Sequence, residues 1–213
     1  MKTDDLITLL ANGTEATERH AVGRRLTVAV LIGAMLALAL VAGLFGINPA
    51  LPRWVGTPLF WWKPALPALL LIVGLACVGR LARPGGTPGR LAVVLLVPAV
   101  VMWVAALYPL STVPAAERPG LILGQTWRTC ALNIAMLSLP AFAASVLALR
   151  QLAPTRPRAA GAAAGLVAGA IATLAYSLHC PEMAPPFWAI WYLLGMAIPV
   201  CAGALLGPRL LRW

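Results

Sequence analysis

An all-α membrane protein with six transmembrane helices is the fold class this sequence predicts, on three observations. Hydrophobic residues make up 61% of the 213 positions and charged residues only 10%, with a positive mean hydropathy, far too apolar for a soluble domain of this length. Apolar runs recur along the chain, each near the roughly 20 residues that carry a helix across about 30 Å of hydrocarbon, and together they leave space for little else. Between the runs, basic residues fall alternately dense and sparse, as they do where a membrane sorts loops between its two faces. No soluble catalytic domain fits in what remains.

The chain divides into residues 1–25, a cytoplasmic N-terminal segment, and residues 26–213, the six-helix transmembrane domain. Four of the six acidic residues, Asp4, Asp5, Glu15 and Glu18, lie in the first segment. Thr3 is placed to cap a helix whose first turn carries Asp4 and Asp5, where carboxylates suit the helix dipole. Leu6, Ile7, Leu9 and Leu10 give that short amphipathic helix an apolar face, and Asn12-Gly13 ends it. About two turns of helix are marginal alone in water, so the leucines require a surface, either lipid, the protein's own bundle or a partner protein. Lys2 is the only lysine before Arg19, which counts against a basic lipid-surface anchor.

The spans are expected at about 26–46, 64–81, 91–108, 129–149, 159–178 and 187–207. Arg24-Arg25 before the first resembles a signal peptide, but the run is long for one and five comparable runs follow, so it is read as retained. Of the 16 Lys and Arg residues, Lys2, Arg19, Arg24, Arg25, Arg80, Arg83, Arg90, Arg150, Arg156, Arg158, Arg209 and Arg212 fall on one side. Arg53, Lys63, Arg118 and Arg128 fall on the other. The asymmetry predicts both termini in the cytoplasm. Trp54, Trp61, Trp62, Trp103, Tyr108, Trp127, Trp188, Trp191 and Tyr192 map to the outer end, where amphipathic rings favour the interface, and Trp213 to the inner.

Pro98, Pro140 and Pro199 lack a backbone donor and are expected to kink their helices. Gly161, Gly165 and Gly169 give the fifth span a face of small residues that admits close helix approach, and Gly203 and Gly207 offer the same in the sixth. These are packing devices. Arg83-Pro-Gly-Gly-Thr-Pro-Gly89 has neither a phosphate-loop lysine nor a dinucleotide-binding pattern and is a linker.

The net charge of +10 is spread singly between apolar runs rather than gathered on one face, so it describes topology and not direct nucleic-acid binding. The four cysteines form no CxxC pair and no zinc-finger spacing. No acidic residue or histidine is expected mid-span, which disfavours an ion-coupled transporter. There is no HExxH helix, GxSxG elbow or paired aspartate for a membrane protease. No enzyme activity and no cofactor are expected.

One cluster remains. Cys130 begins the fourth span and Cys180 follows the fifth, so both belong to the same membrane face. Thr173, Tyr176 and Cys180 share a stripe at helical spacing, as do Cys130 and Asn133. His179 and Glu182 flank the second thiol. The set reads as a fixed disulfide, as inert thiols, or as a site responding to an oxidant or to a soft metal ion. Cys77 and Cys201 fall in the inner halves of the second and sixth spans and are read as small apolar residues. A quinone-linked membrane thiol oxidoreductase is the alternative function, weakened by the absence of a CxxC, and a small-solute transporter comes third.

Over its whole length the chain resembles the six-span bacterial membrane anti-sigma factors of the NrsF type. The resemblance rests on Met1-Lys-Thr-Asp-Asp-Leu-Ile7, Trp127-Arg-Thr-Cys130 with Leu137-Ser-Leu-Pro140, His179-Cys-Pro-Glu182, Phe187-Trp-Ala-Ile-Trp-Tyr192 and Arg209-Leu-Leu-Arg-Trp213. It implies a regulator of the bacterial inner membrane that holds an extracytoplasmic-function sigma factor through its N-terminal segment, around Asp4, Asp5, Leu6, Ile7, Leu9 and Leu10. It also implies that Cys130 and Cys180 are the outer-face cysteines tied to signal response, with a role in stress signalling.

Overall fold

The computed structural model describes residues 3, 21–83 and 85–212. The expected N-terminal helix, with Asp4, Asp5, Leu6, Ile7, Leu9 and Leu10, lies outside the described residues, as does Trp213. Among the described residues every regular element is a helix. Six are long and apolar enough to cross a membrane.

The main helices are α1 (Ala21–Leu40), α2 (Pro58–Leu81), α3 (Leu96–Thr112), α4 (Trp127–Arg150), α5 (Pro157–Tyr176) and α6 (Leu193–Leu210). A π-helical turn, Val41–Phe45, extends α1, and a second, Trp188–Tyr192, leads into α6. Short helices at Leu51–Val55, Leu91–Val94, Arg118–Leu123 and Pro185–Phe187 occupy the connections. Proline starts α2 and α5, where a missing N–H costs nothing because the first turn has no partner for it.

Three details differ from the expectation. The second span begins at Pro58 rather than Pro64, because Pro58 is a ready first residue and Pro64 and Pro67 sit inside the helix. Lys63, assigned by sequence to an outer loop, is therefore inside a helix. The fourth crossing reaches back through Arg118–Leu123, so Arg118 and Arg128 are helical too. Before Pro98 the third crossing breaks at Leu95 into two helices, and Val94 is the residue whose carbonyl the proline cannot serve. By contrast α4 and α6 run unbroken through Pro140 and Pro199.

Helix α5 is the centre of the bundle, with 14 of its 20 residues buried, and it packs on α6, α4 and α2. Its closest neighbour is α6. A Cβ added at Gly161 would run into the Gly203 carbonyl, and one at Gly203 into the Gly161 carbonyl. Gly165 meets the Pro199 carbonyl in the same way, and Gly207 the Pro157 carbonyl. The small-residue faces read from sequence therefore meet backbone to backbone. Gly33 of α1 rests on Ala141 of α4 with equally little space. Helix α3 is peripheral, with Leu96, Val100, Val104 and Leu107 all exposed for lipid to cover.

The connections gather at two ends. At one, the Asn48 N–H donates to the Leu178 carbonyl at 3.0 Å, and Trp191 Nε1 donates to the Ile122 carbonyl at 2.9 Å. At the other, an Arg25 guanidinium nitrogen donates to the Gln151 carbonyl at 2.9 Å, and the Gly85 N–H to Thr155 Oγ1 at 3.2 Å. Successive loops thus alternate between ends, as the charge pattern requires. The aromatic set divides: Trp61, Trp62 and Tyr108 are exposed, but Trp188 and Tyr192 are completely buried. Those two are core residues rather than interfacial anchors, because the π turn directs them into the bundle.

Candidate functional site

At the end that carries loops 46–57, 113–126 and 177–184, the chain from Ser177 to Ala184 leaves α5 and turns over the top of the bundle. The Cys180 N–H still donates to the Tyr176 carbonyl at 3.0 Å, so the thiol sits one turn past the helix end. Cys130 lies in the first turn of α4, its N–H donating to the Thr126 carbonyl at 2.9 Å. Both cysteines are completely buried and both are free thiols. The expected pair is brought together: the Cys130 and Cys180 side chains are neighbours close enough to act on each other's ionisation.

The neighbouring stripe residues meet as well, with Asn133 Nδ2 donating to the Tyr176 hydroxyl at 3.4 Å. Thr173 instead returns its hydroxyl to its own helix, donating to the Gly169 carbonyl at 2.7 Å.

His179 and Glu182 have structural employment. His179 Nδ1 lies 3.0 Å from the Gly46 carbonyl, its ring packs on Phe45 and Tyr176, and its own carbonyl accepts from Asn48 Nδ2 at 3.2 Å. Glu182 reaches across to the start of α4, where its carboxylate accepts from the N–H groups of Gln125 at 2.7 Å and Thr126 at 3.1 Å. A carboxylate at a helix N-terminus satisfies orphan donors and complements the dipole. Gly124, with a φ of +53°, leaves space for it, since a Cβ there would strike the carboxylate. Among the described residues no three His, Cys, Asp or Glu side chains converge as a metal-holding group, so the imidazole and carboxylate do not complete a ligand set around the sulfurs.

Sequence reading missed one participant. Lys63 is completely buried, and its Nζ donates to the Cys180 carbonyl. Its ammonium also lies 5.8 Å from the centre of the Trp54 ring. The signal was a lone lysine between Trp61-Trp62 and Pro64, five residues after Pro58, where the extended Thr57 and the proline already announced a helix start. A second missed neighbour is Tyr192, whose hydroxyl is buried against Cys180 without a hydrogen bond of good geometry among the described residues.

Four influences hold the Cys180 thiol below its ordinary range. The neighbouring Cys130 thiol is the largest, and Lys63, the Tyr192 hydroxyl and the backbone N–H at Glu182 add to it against the opposing effect of burial. Two neighbouring thiols, one disposed to ionise, are equipped to join as a disulfide or to share a soft cation.

The match to known proteins covers this whole arrangement. Residues 10–213 match the family model NrsF, negative regulator of sigma F. The chain belongs to the NrsF family. It is 45% identical to a protein named probable anti-sigma-F factor NrsF from Azospira oryzae, over all of both chains. It is 39% identical to the anti-sigma-F factor NrsF of Caulobacter vibrioides, again over all of both. No solved structure matches. The family membership that the motifs suggested is thereby established.

Proposed function

We propose that this chain is a membrane-bound anti-sigma factor: it holds a sigma factor of the extracytoplasmic-function class at the bacterial inner membrane and releases it when a periplasmic signal acts on Cys130 and Cys180. The observation that carries the reading is the full-length similarity to two proteins named as anti-sigma-F factors. The apolar face of Leu6, Ile7, Leu9 and Leu10, with Asp4 and Asp5 beside it, is the sigma-binding element within residues 1–25. Both termini lie in the cytoplasm, supported by the 12 to 4 division of the 16 basic residues between the two ends. The thiol end then faces the periplasm, where either an oxidant or a metal ion is able to reach it.

Release requires the free and signalled states to differ in affinity for the sigma factor, typically by a coupling of about 1–3 kcal/mol. Co-purification of the sigma factor with a tagged full-length chain tests the binding half. Deletion of residues 1–12 is expected to abolish capture, and undiminished capture would overturn the N-terminal assignment. For the signalling half, Cys130→Ser and Cys180→Ser are expected to alter induction of sigma-dependent transcription while the protein still inserts. Normal induction in both would reduce the pair to a structural contact.

A further inference from the structure

Lysine is almost never completely buried unless its charge is answered, because removing an ammonium from water costs several kcal/mol. Lys63 is completely buried in an apolar bundle, and beyond Lys2 it is the chain's only lysine. Among the described residues its hydrogen bond goes to the Cys180 carbonyl, and the Trp54 ring supplies a weak further contact. A neutral carbonyl and a ring at 5.8 Å are thin compensation for a full charge. The other groups within its electrostatic reach are Cys180, Cys130 and Glu182, in that order of influence. Glu182 is committed to the backbone of Gln125 and Thr126. Tyr176 and Tyr192 are the remaining titratable groups facing the sulfurs, and both present hydroxyls. The two sulfur atoms are thus the place where an answering negative charge is able to form.

We infer that Lys63 is the charge partner of the Cys130–Cys180 pair, a positioning residue that seats the Cys180 loop through its carbonyl and stabilises negative charge on the sulfurs. This rests on the thiol pair being the responsive site. While one sulfur carries charge, the ammonium is answered and α2 is tied to the loop. When a peroxide takes two electrons from the thiolate and the thiol, the S–S bond forms as the O–O bond breaks, the thiol proton leaves with the reduced oxygen, and the ammonium is left unanswered at the top of α2. The state of the sulfurs then reaches a helix that carries neither cysteine.

The test uses the full-length chain in lipid nanodiscs with Cys77 and Cys201 replaced by alanine, and follows ultraviolet thiolate absorbance against pH. Lys63→Arg keeps the charge, whereas Lys63→Gln keeps a donor for the carbonyl without charge. An opposite charge a few ångströms away shifts such a group by about 1–3 units, so Lys63→Gln is expected to move thiolate appearance upward by about a unit or more. Lys63→Arg is expected to titrate close to the parent. A lysine serving only as a staple predicts no movement in either, and that result overturns the assignment, as does an upward movement in Lys63→Arg equal to that in Lys63→Gln. Thermal unfolding of each variant confirms that a folded protein is being titrated, and Lys63→Met is the second uncharged variant. A reporter of sigma-dependent transcription separates the two readings: if Cys180→Ser signals normally while Lys63→Gln still moves the titration, the sensing role fails and the charge partnership stands.

Discussion

Glu182 shows how much one side chain determines at the thiol end. It closes the top of α4 from a loop more than 50 residues away in sequence, holding the turn that also contains Cys180. Glu182→Ala is expected to cost about 0.5–2 kcal/mol, the usual worth of a helix N-cap, measured as a lower unfolding midpoint in mild detergent. Glu182→Gln, which retains an acceptor, is expected to lose less. Gly161 is the converse case, a position where any side chain meets backbone. Gly161→Ala is expected to destabilise by about 1–3 kcal/mol, because Gly203 cannot yield without moving α6. The nearness of the two thiols leads to a chemical expectation. A mild oxidant should consume Cys130 and Cys180 together as one intramolecular bridge, seen as loss of two alkylatable thiols without a covalent dimer. Much of this residue scale was legible: the two cysteines were paired by depth, and the stripe with Asn133 and Tyr176 was found. The direction of His179 and Glu182 was not legible, because flanking a thiol in sequence says nothing of where a side chain points, and each turns to backbone.

At the scale of elements, the number of spans and their alternation were written in hydropathy and charge, while the departures came from backbone detail. Pro58 moved the start of α2 by six residues, and that shift alone carried Lys63 from a loop into the interior. The π turn at Trp188–Tyr192 left no periodic trace, since it spans only five residues. Its effect is large, because a π turn accommodates one extra residue and so rotates what precedes it by about 100° relative to a continuous α-helix. Here it brings Trp188 Nε1 to the Glu182 carbonyl at 3.0 Å and Tyr192 against Cys180. Deleting Ala189 is expected to restore α-helical register, undo both contacts and expose Cys180, which would then be alkylated much faster by a small reagent. Unchanged protection would mean that the turn is not what seats these rings.

For the whole molecule, the two ends are the testable object. Single cysteines introduced at Thr57 and Ala115 are expected to react alike with an impermeant reagent in intact cells, and those at Gly86 and Thr155 only after permeabilisation. Mixed labelling within either set would contradict the topology. The bundle is also uneven in cross-section. Helix α5 is enclosed by α2, α4 and α6, yet α3 lies at the margin, presenting most of its surface to lipid. A rod of alanine and glycine gripped along its length by backbone on one side and large side chains on another has no slack for partial displacement. If its upper end is drawn toward α4 by events at the sulfurs, the grips must let go together and re-form elsewhere. Such a helix behaves as a latch with two seats rather than as a spring, and a population of these molecules would answer a rising stimulus by counting how many have flipped.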